Sequence, residues 1–185
     1  GNSVAISGDT VVVGASGENS SSLGVNGTPN EISNDAGAAY VFVRNSGTWT
    51  QQAYLKPAEV GTSQANDLFG WSVGISGETI VVGAFNEDGS STGVNSTPNE
   101  NSLNSGAAYI FARNSAIWTQ VAYLKPLAVG TSQVNDSFGW SVGISGDTVV
   151  VGAYLEDSGT TGVNSTPNEG AFDSGAVYVF IRSSG

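Results

Sequence analysis

The amino-acid sequence predicts an all-β fold of repeated four-stranded antiparallel sheets, and three observations carry that prediction. The chain repeats itself every 69 residues without a slip, as Val4, Val73 and Val142, Pro29, Pro98 and Pro167, and Tyr40, Tyr109 and Tyr178 all show. Its composition is turn-rich, with 26 Gly and only 11% charged residues. Its apolar runs are short, β-branched and free of helical spacing. Runs such as Val11-Val12-Val13 and Tyr40-Val41-Phe42-Val43 require cover on both faces of a sheet, and with no helix to supply it, sheets must cover sheets. That arrangement describes β-propeller blades, an incomplete array of about 2.7 of them in 185 residues, with Gly and Ala allowing close approach near a central axis. A β-sandwich or a β-solenoid is the alternative, although solenoid coils are usually shorter.

The elements follow in order within one copy. Trp71 to Ser76 alternates apolar and small residues, Gly77-Glu78 is a turn, and Thr79 to Ala84 is a β-branched second strand, so the two form a hairpin. A polar stretch rich in Gly, Ser, Asn and Thr runs from Asn86 to Ser105. Gly106 to Arg113 reads as a third strand, and Ile117 to Lys125, closed by Pro126, as a fourth. The whole of 1–185 is then one segment made of copies 1–69, 70–138 and a partial 139–185, and the last copy lacks the equivalent of Ile117 to Phe138.

Five Lys and Arg stand against 16 Asp and Glu, a net charge of −11, so nucleic acid and anionic lipid are poor partners. The chain has no Cys, His or Met, which excludes disulfides, thiolate nucleophiles, Cys/His zinc sites and histidine catalysis. Any metal must be held by oxygen. No apolar run approaches the ~20 residues of a membrane span. A start without Met suggests a processed or excised piece.

The long polar loop holds the candidate site. Glu87, Asp88, Asn95, Asn99, Glu100 and Asn104 recur as Glu156, Asp157, Asn164, Asn168, Glu169 and Asp173, and in the first copy as Glu18, Asn19, Asn26, Asn30, Glu31 and Asp35. Carboxylate, amide and backbone oxygens gathered in a Gly-bearing loop suit calcium, which takes 6 to 8 oxygen ligands, although the spacing is not that of an EF-hand. An ion is one way to order so long a loop; Asx-turns and Ser/Thr hydrogen bonds are the other. Asp88 and Asp157 could be imagined as an acid/base pair, but a catalytic pair is normally unique and these are copied with the scaffold, so no enzyme is expected. Asp67 and Asp136, two residues before each Phe-Gly, are expected to cap the turn into the first strand. Trp49, Trp71, Trp118 and Trp140, with Tyr54 and Tyr123, could form sugar platforms, but their recurrence on strands fits packing between sheets better. Asn-x-Ser/Thr triplets begin at Asn19, Asn26, Asn95, Asn135 and Asn164, acceptors for glycans in a eukaryotic secretory context.

The segment Asp67-Leu-Phe-Gly-Trp-Ser-Val-Gly-Ile-Ser-Gly-Glu-Thr-Ile-Val-Val-Gly-Ala recurs from Asp136, each time followed by a Gly-Ala-x-Tyr-x-Phe strand, and it resembles the FG-GAP repeats of integrin α heads and bacterial surface proteins. Two departures are plain. The third letter of the Gly-Ala-Pro element is Ser16, Phe85 or Tyr154, and a tight Ser-Gly-Asp/Glu-Thr turn replaces the integrin-type calcium loop, so that metal site does not carry over. The resemblance implies a ring of about seven blades, completed by a longer polypeptide or by several chains. It also implies a non-enzymatic, extracellular or cell-surface scaffold or adhesion module, with a cell-surface protein or glycan as partner. Self-assembly of near-identical blades into a filament or sheath, or a carbohydrate-binding lectin, are the alternatives.

Overall fold

A computed structural model of the chain describes residues 1–183. Among them are eleven strands and no helix. The first sheet has the order β1-β2-β3-β4, formed by β1 (Ser3–Ser7), β2 (Thr10–Ala15), β3 (Ala38–Asn45) and β4 (Thr48–Leu55). The middle sheet repeats it with β5 (Ser72–Ser76), β6 (Thr79–Ala84), β7 (Ala107–Asn114) and β8 (Ile117–Leu124). In the last sheet β9 (Phe138–Ser145), β10 (Thr148–Ala153) and β11 (Ala176–Ile181) pair in the order β11-β10-β9. Neighbouring strands are antiparallel throughout. The predicted strands therefore exist and pair as expected, with the innermost strand of the last copy reaching back to Phe138.

The tight turns and the long connections separate to opposite ends. Each sheet meanders, so the two-residue turns at 8–9, 46–47, 77–78, 115–116 and 146–147 lie at one end, and the connections 16–37, 56–71, 85–106, 125–137 and 154–175 at the other. A one-residue irregularity recurs in the outer hairpins, between Val41 and Phe42 and between Ile110 and Phe111. It adds local twist at matching places.

Consecutive sheets stack face to face. Val12 and Val41 of the first sheet meet Ile80, Val82 and Phe111 of the middle one, all fully buried, while Val81 and Ile110 on its opposite face meet Val149 and Val151 of the last. The innermost strands come closest. A side chain on Gly83 would strike the Gly139 carbonyl, which already accepts the Ser72 Oγ hydrogen bond at 2.8 Å. Gly106, at φ 79°, likewise lies against Phe138 in a parallel bridge that joins the middle and last sheets. Phe69 and Phe138, the aromatic residues of the repeated Phe-Gly, are fully buried at these junctions and pack edge-on to Tyr109 and Tyr178.

Candidate functional site

The charges divide between the two ends. All five cations are paired, and three pairs close the hairpin end: Arg44 with Asp9, Arg113 with Glu78 and Arg182 with Asp147. The Arg44 and Arg182 pairs are exposed and of small energetic weight, while Arg113 is largely buried and its hydrogen bonds hold the Glu78 carboxyl below its usual range. The other two, Lys56 with Glu18 and Lys125 with Glu87, lie inside the loop end. Among the described residues eleven of the 16 carboxylates have no cation, and every one of them lies in the loop-end connections. The net charge of −11 is therefore a property of one end of the molecule.

Lys125 is fully buried where β8 ends. Its ammonium donates to Gly106 O at 2.6 Å, Ser105 Oγ at 2.7 Å and Glu87 Oε2 at 3.1 Å, which uses all three of its protons. Glu87 Oε1 accepts the Tyr123 hydroxyl at 2.9 Å. Lys56, also fully buried, donates to Ser20 O and Gly37 O at 2.6 Å each, with Glu18 at 3.5 Å. Burial lowers the pKa of both amines, and the neighbouring glutamates oppose that shift. The lysines were not among the residues that the sequence marked for function. Their signal was recurrence: in a chain so poor in cations, a lysine closes both complete fourth strands.

Apart from Asn164, the loop residues proposed as ligands are engaged in local hydrogen bonds. In the middle copy Asp88 Oδ1 accepts Asn104 N–H at 2.7 Å, Asn99 Oδ1 accepts Ser90 and Asn101 N–H at 3.0 Å, and Asn95 Oδ1 accepts Tyr123 N–H at 3.0 Å. Glu100 Oε1 accepts Thr62 N–H at 3.2 Å, which ties the loop to the connection before it, and Asn104 Nδ2 donates to Asn135 Oδ1 at 3.0 Å in the connection after it. In the last copy Asp157 accepts Asp173 N–H at 2.7 Å, Asn168 accepts Gly159 and Gly170 N–H, and Glu169 accepts Thr131 N–H at 2.9 Å. Glu156, 3% exposed, accepts Ser158 N–H at 2.9 Å, and Asn164 sits at φ 56° on the rim of a cleft beside β11. These are Asx-turn and loop-bracing bonds of the kind that hold a long loop without help. Among the described residues no three carboxylates converge on one point that a cation would occupy.

The first copy shows which part of each side chain the loop uses. Asn19 stands where the others have Asp88 and Asp157, and its Oδ1 accepts Asp35 N–H at 2.9 Å. The oxygen is structural and the negative charge is spare.

Asp67 and Asp136 depart from expectation. The turn they precede is closed by backbone, with Trp71 N–H donating to Leu68 O at 3.0 Å and Phe69 N–H to Ala36 O at 3.1 Å, and among the described residues neither carboxylate accepts a hydrogen bond. Both are buried, at 5% and 6% exposure, facing acids of the next loop. Burial, then Glu87, Glu100 and Asp88, pushes Asp67 up to about 9; burial, then Glu156, Glu169 and Asp157, pushes Asp136 up to about 7.

The aromatic residues split. Trp118, Tyr54 and Tyr123 are buried as packing residues, and Trp118 Nε1 donates to Gln52 Oε1 of the preceding sheet at 2.8 Å. Trp71, Phe85, Trp140 and Tyr154 form a ladder across the middle and last sheets, with ring centroids 4.2 to 5.1 Å apart. Trp49 is 43% exposed beneath Arg44.

The stacked four-strand meanders, the buried Phe-Gly junctions and the Gly-Ala-x-Tyr-x-Phe strands define a tandem-repeat class of all-β protein. The chain belongs to the FG-GAP repeat family, whose model matches residues 1–42, 49–111 and 118–180. Each later match starts in the fourth strand of one sheet and runs through three strands of the next, so the family unit bridges sheets. A search among characterised proteins finds no match. Among the described residues no helix is long and apolar enough to cross a membrane.

Proposed function

We propose that the chain is a non-enzymatic, β-propeller-type scaffold of extracellular or cell-surface proteins, and that its acidic loop end is the surface that meets a partner. FG-GAP repeats are typical of such proteins, and the family is generally non-enzymatic. One observation carries the reading: eleven carboxylates without a cation gather at the loop end, while the hairpin end is internally neutralised. A field of one sign on one face steers and selects a partner of the opposite sign. The partner is accordingly a basic patch on a cell-surface protein, with calcium able to screen or bridge the same carboxylates. A glycan partner would instead use the aromatic ladder.

Asp88→Asn, Glu100→Gln, Asp157→Asn and Glu169→Gln together keep the acceptor oxygens and remove four charges; Asn19 shows that the loop tolerates such a change. Binding to immobilised poly-lysine is expected to weaken by about tenfold or more in that variant, against little change in Asp9→Asn with Asp147→Asn. Equal loss in both, or none in either, would sink the reading. Calcium enters as a separate arm: chelation should lower the melting temperature if the ion binds the folded loops, and an unchanged melt removes it from the proposal.

Self-assembly is a second reading favoured by its own observation. Val4 and Ile6 on the outer face of the first sheet are 70% and 65% exposed, and Val177, Val179 and Ile181 on the outer face of the last are 59–76% exposed. They are repeat equivalents of faces that meet inside the molecule, which is the geometry of a head-to-tail contact. Sedimentation across a concentration range decides it: a monodisperse 18.7 kDa species throughout excludes that contact.

A further inference from the structure

A pocket of about 390 Å³ opens at the loop end between the middle and last sheets, within the roughly 300–1,000 Å³ of small-molecule sites. Both of its walls lie inside the repeat array: the middle copy supplies Phe85, Asn104 and Asn135, and the last copy Tyr154, Asp157 and Phe172. The same place between the first and middle sheets is a different surface. Most positions of the first copy recur unchanged in the second, yet of the residues that line the pocket only Asn135 and Asp157 match their equivalents at the earlier junction, Asn66 and Asp88. Ser16, Leu68, Phe85 and Leu103 stand there where the pocket has Phe85, Ser137, Tyr154 and Phe172. The scaffold is copied from repeat to repeat and the pocket is not, which is how a ligand site differs from a packing position.

The pocket presents rings and hydrogen-bonding groups together. Tyr154 rests on Trp140 at 4.2 Å and Phe85 meets the same indole edge-on at 4.7 Å, so two of the rings are held rigidly by the aromatic ladder. Phe172 is 85% exposed at the mouth. Leu103, its equivalent one copy earlier, is 58% exposed even though Asn135 N–H of the following connection donates to its carbonyl, so a loop tip of this kind stays open beside its neighbour. Asn104 Nδ2 donates to Asn135 Oδ1 at 3.0 Å, and among the described residues Asn135 Nδ2 remains to donate and Asn104 Oδ1 to accept. Asp157 Oδ1 accepts Asp173 N–H at 2.7 Å, which leaves its second oxygen as a charged acceptor.

We propose that this pocket binds a neutral saccharide, with the apolar face of a sugar ring against Phe172 and Tyr154 and its hydroxyls shared among Asn104, Asn135 and Asp157. A pyranose is the complement of what the pocket offers: its C–H faces suit aromatic rings, and each hydroxyl both donates and accepts, as the mixed amide and carboxylate lining requires. An organic cation would use the rings and the carboxylate but has no acceptor for the Asn135 amide. An acidic sugar is repelled by the uncompensated carboxylates of this end. The first junction is not such a site, because Ser16 and Leu68 put a small side chain in place of a ring and an apolar one in place of a hydroxyl. The saccharide site stands apart from the basic partner proposed above, since a neutral ligand draws nothing from the acidic field.

The test titrates the whole chain with cellobiose, lactose, mannobiose and N,N′-diacetylchitobiose, and with tetramethylammonium chloride as the cation control. Calorimetry and tryptophan fluorescence are the readouts, the second because Trp140 stacks on the pocket's Tyr154. Saturable binding of at least one disaccharide, one per chain and insensitive to salt, is expected. Phe172→Ala changes an exposed loop tip, should keep the melt, and should weaken that sugar by about tenfold. Ile32→Ala, 79% exposed on the first loop, should alter neither melt nor binding. Poly-lysine binding should be the same in Phe172→Ala as in the parent, so this proposal and the acidic-surface reading fail separately. Saturation by none of these sugars, equal affinity in Phe172→Ala and the parent, or saturation by tetramethylammonium alone would each overturn the proposal.

Discussion

β6 and β10 differ by a single residue, Ile80 in one and Val149 in the other, yet β6 is buried at all six positions while β10 alternates. Val81 is fully buried and its equivalent Val150 is 37% exposed. Among the described residues the middle sheet has a neighbour on each face and the last sheet on one. Burial in this molecule is thus conferred by stacking between copies, and a run of consecutive apolar residues in the sequence is an instruction to be sandwiched rather than a property of the strand. The same contrast holds for charge. Lys125 and Glu87 neutralise each other inside the middle copy, and Glu156 lies in the same pocket without a lysine.

The largest expected effect breaks that second contrast. Lys125→Met removes the cation from a pocket that holds Glu87 and three donor contacts, and should destabilise the chain by about 3–5 kcal/mol, the cost of stranding a buried charge. Glu156→Gln, which strands nothing, should leave stability unchanged or slightly raised. Urea denaturation of both variants gives the comparison; equal losses would mean that the two pockets are equivalent despite the missing lysine.

The stacking contrast is sharpened by a smaller pair of changes. Val81→Ala removes two methyl groups from a closed interface and should cost about 2 kcal/mol, whereas Val150→Ala on the open face should cost well under 1 kcal/mol. Were the two costs to converge, with Val150→Ala as damaging as Val81→Ala, something would have to cover the last sheet in solution.

These residues also show how far the sequence can be read. The period, the hairpin turns at Gly8, Gly77 and Gly146, and the apolar runs place the strands to within a residue or two, because a strand's pattern is local. The site is only half legible. Asn95 and Asn99 carry the oxygens expected of calcium ligands, but an Asx-turn and an ion use the same oxygen at the same spacing, so the pattern does not separate them. Lys56 and Lys125, each before a proline at a strand end, carry no local sign of burial; their burial depends on a glutamate 38 residues earlier, brought close by folding. Asp67 reads as a turn cap for the same reason: the acids that face it, Glu87, Asp88 and Glu100, belong to the next copy.

The smallest effect concerns that carboxylate and its equivalent, which sit at the two junctions between sheets. Asp67 faces Glu87, Asp88 and Glu100 with Lys56 opposing, and Asp136 faces Glu156, Asp157 and Glu169 with Lys125 opposing. The folded pKa values, about 9 and about 7, both lie above that of an unfolded aspartate, so the folded chain holds these protons more tightly and their stabilising contribution is greatest in acid. It fades as pH rises, ending near pH 7 for Asp136 and near pH 9 for Asp67. Stability should therefore fall between pH 5 and 9 rather than hold level, by about 1–2 kcal/mol for these two groups together once residual solvent access is allowed for. Asp136→Asn should lessen but not abolish the fall between pH 5 and 7, where Asp67 also contributes, and leave the fall from 7 to 9, which Asp67→Asn should remove. Melting curves of the three proteins at pH 5, 7 and 9 check this, and a parent chain equally stable at all three would show that both junctions admit enough water to ionise their aspartates freely.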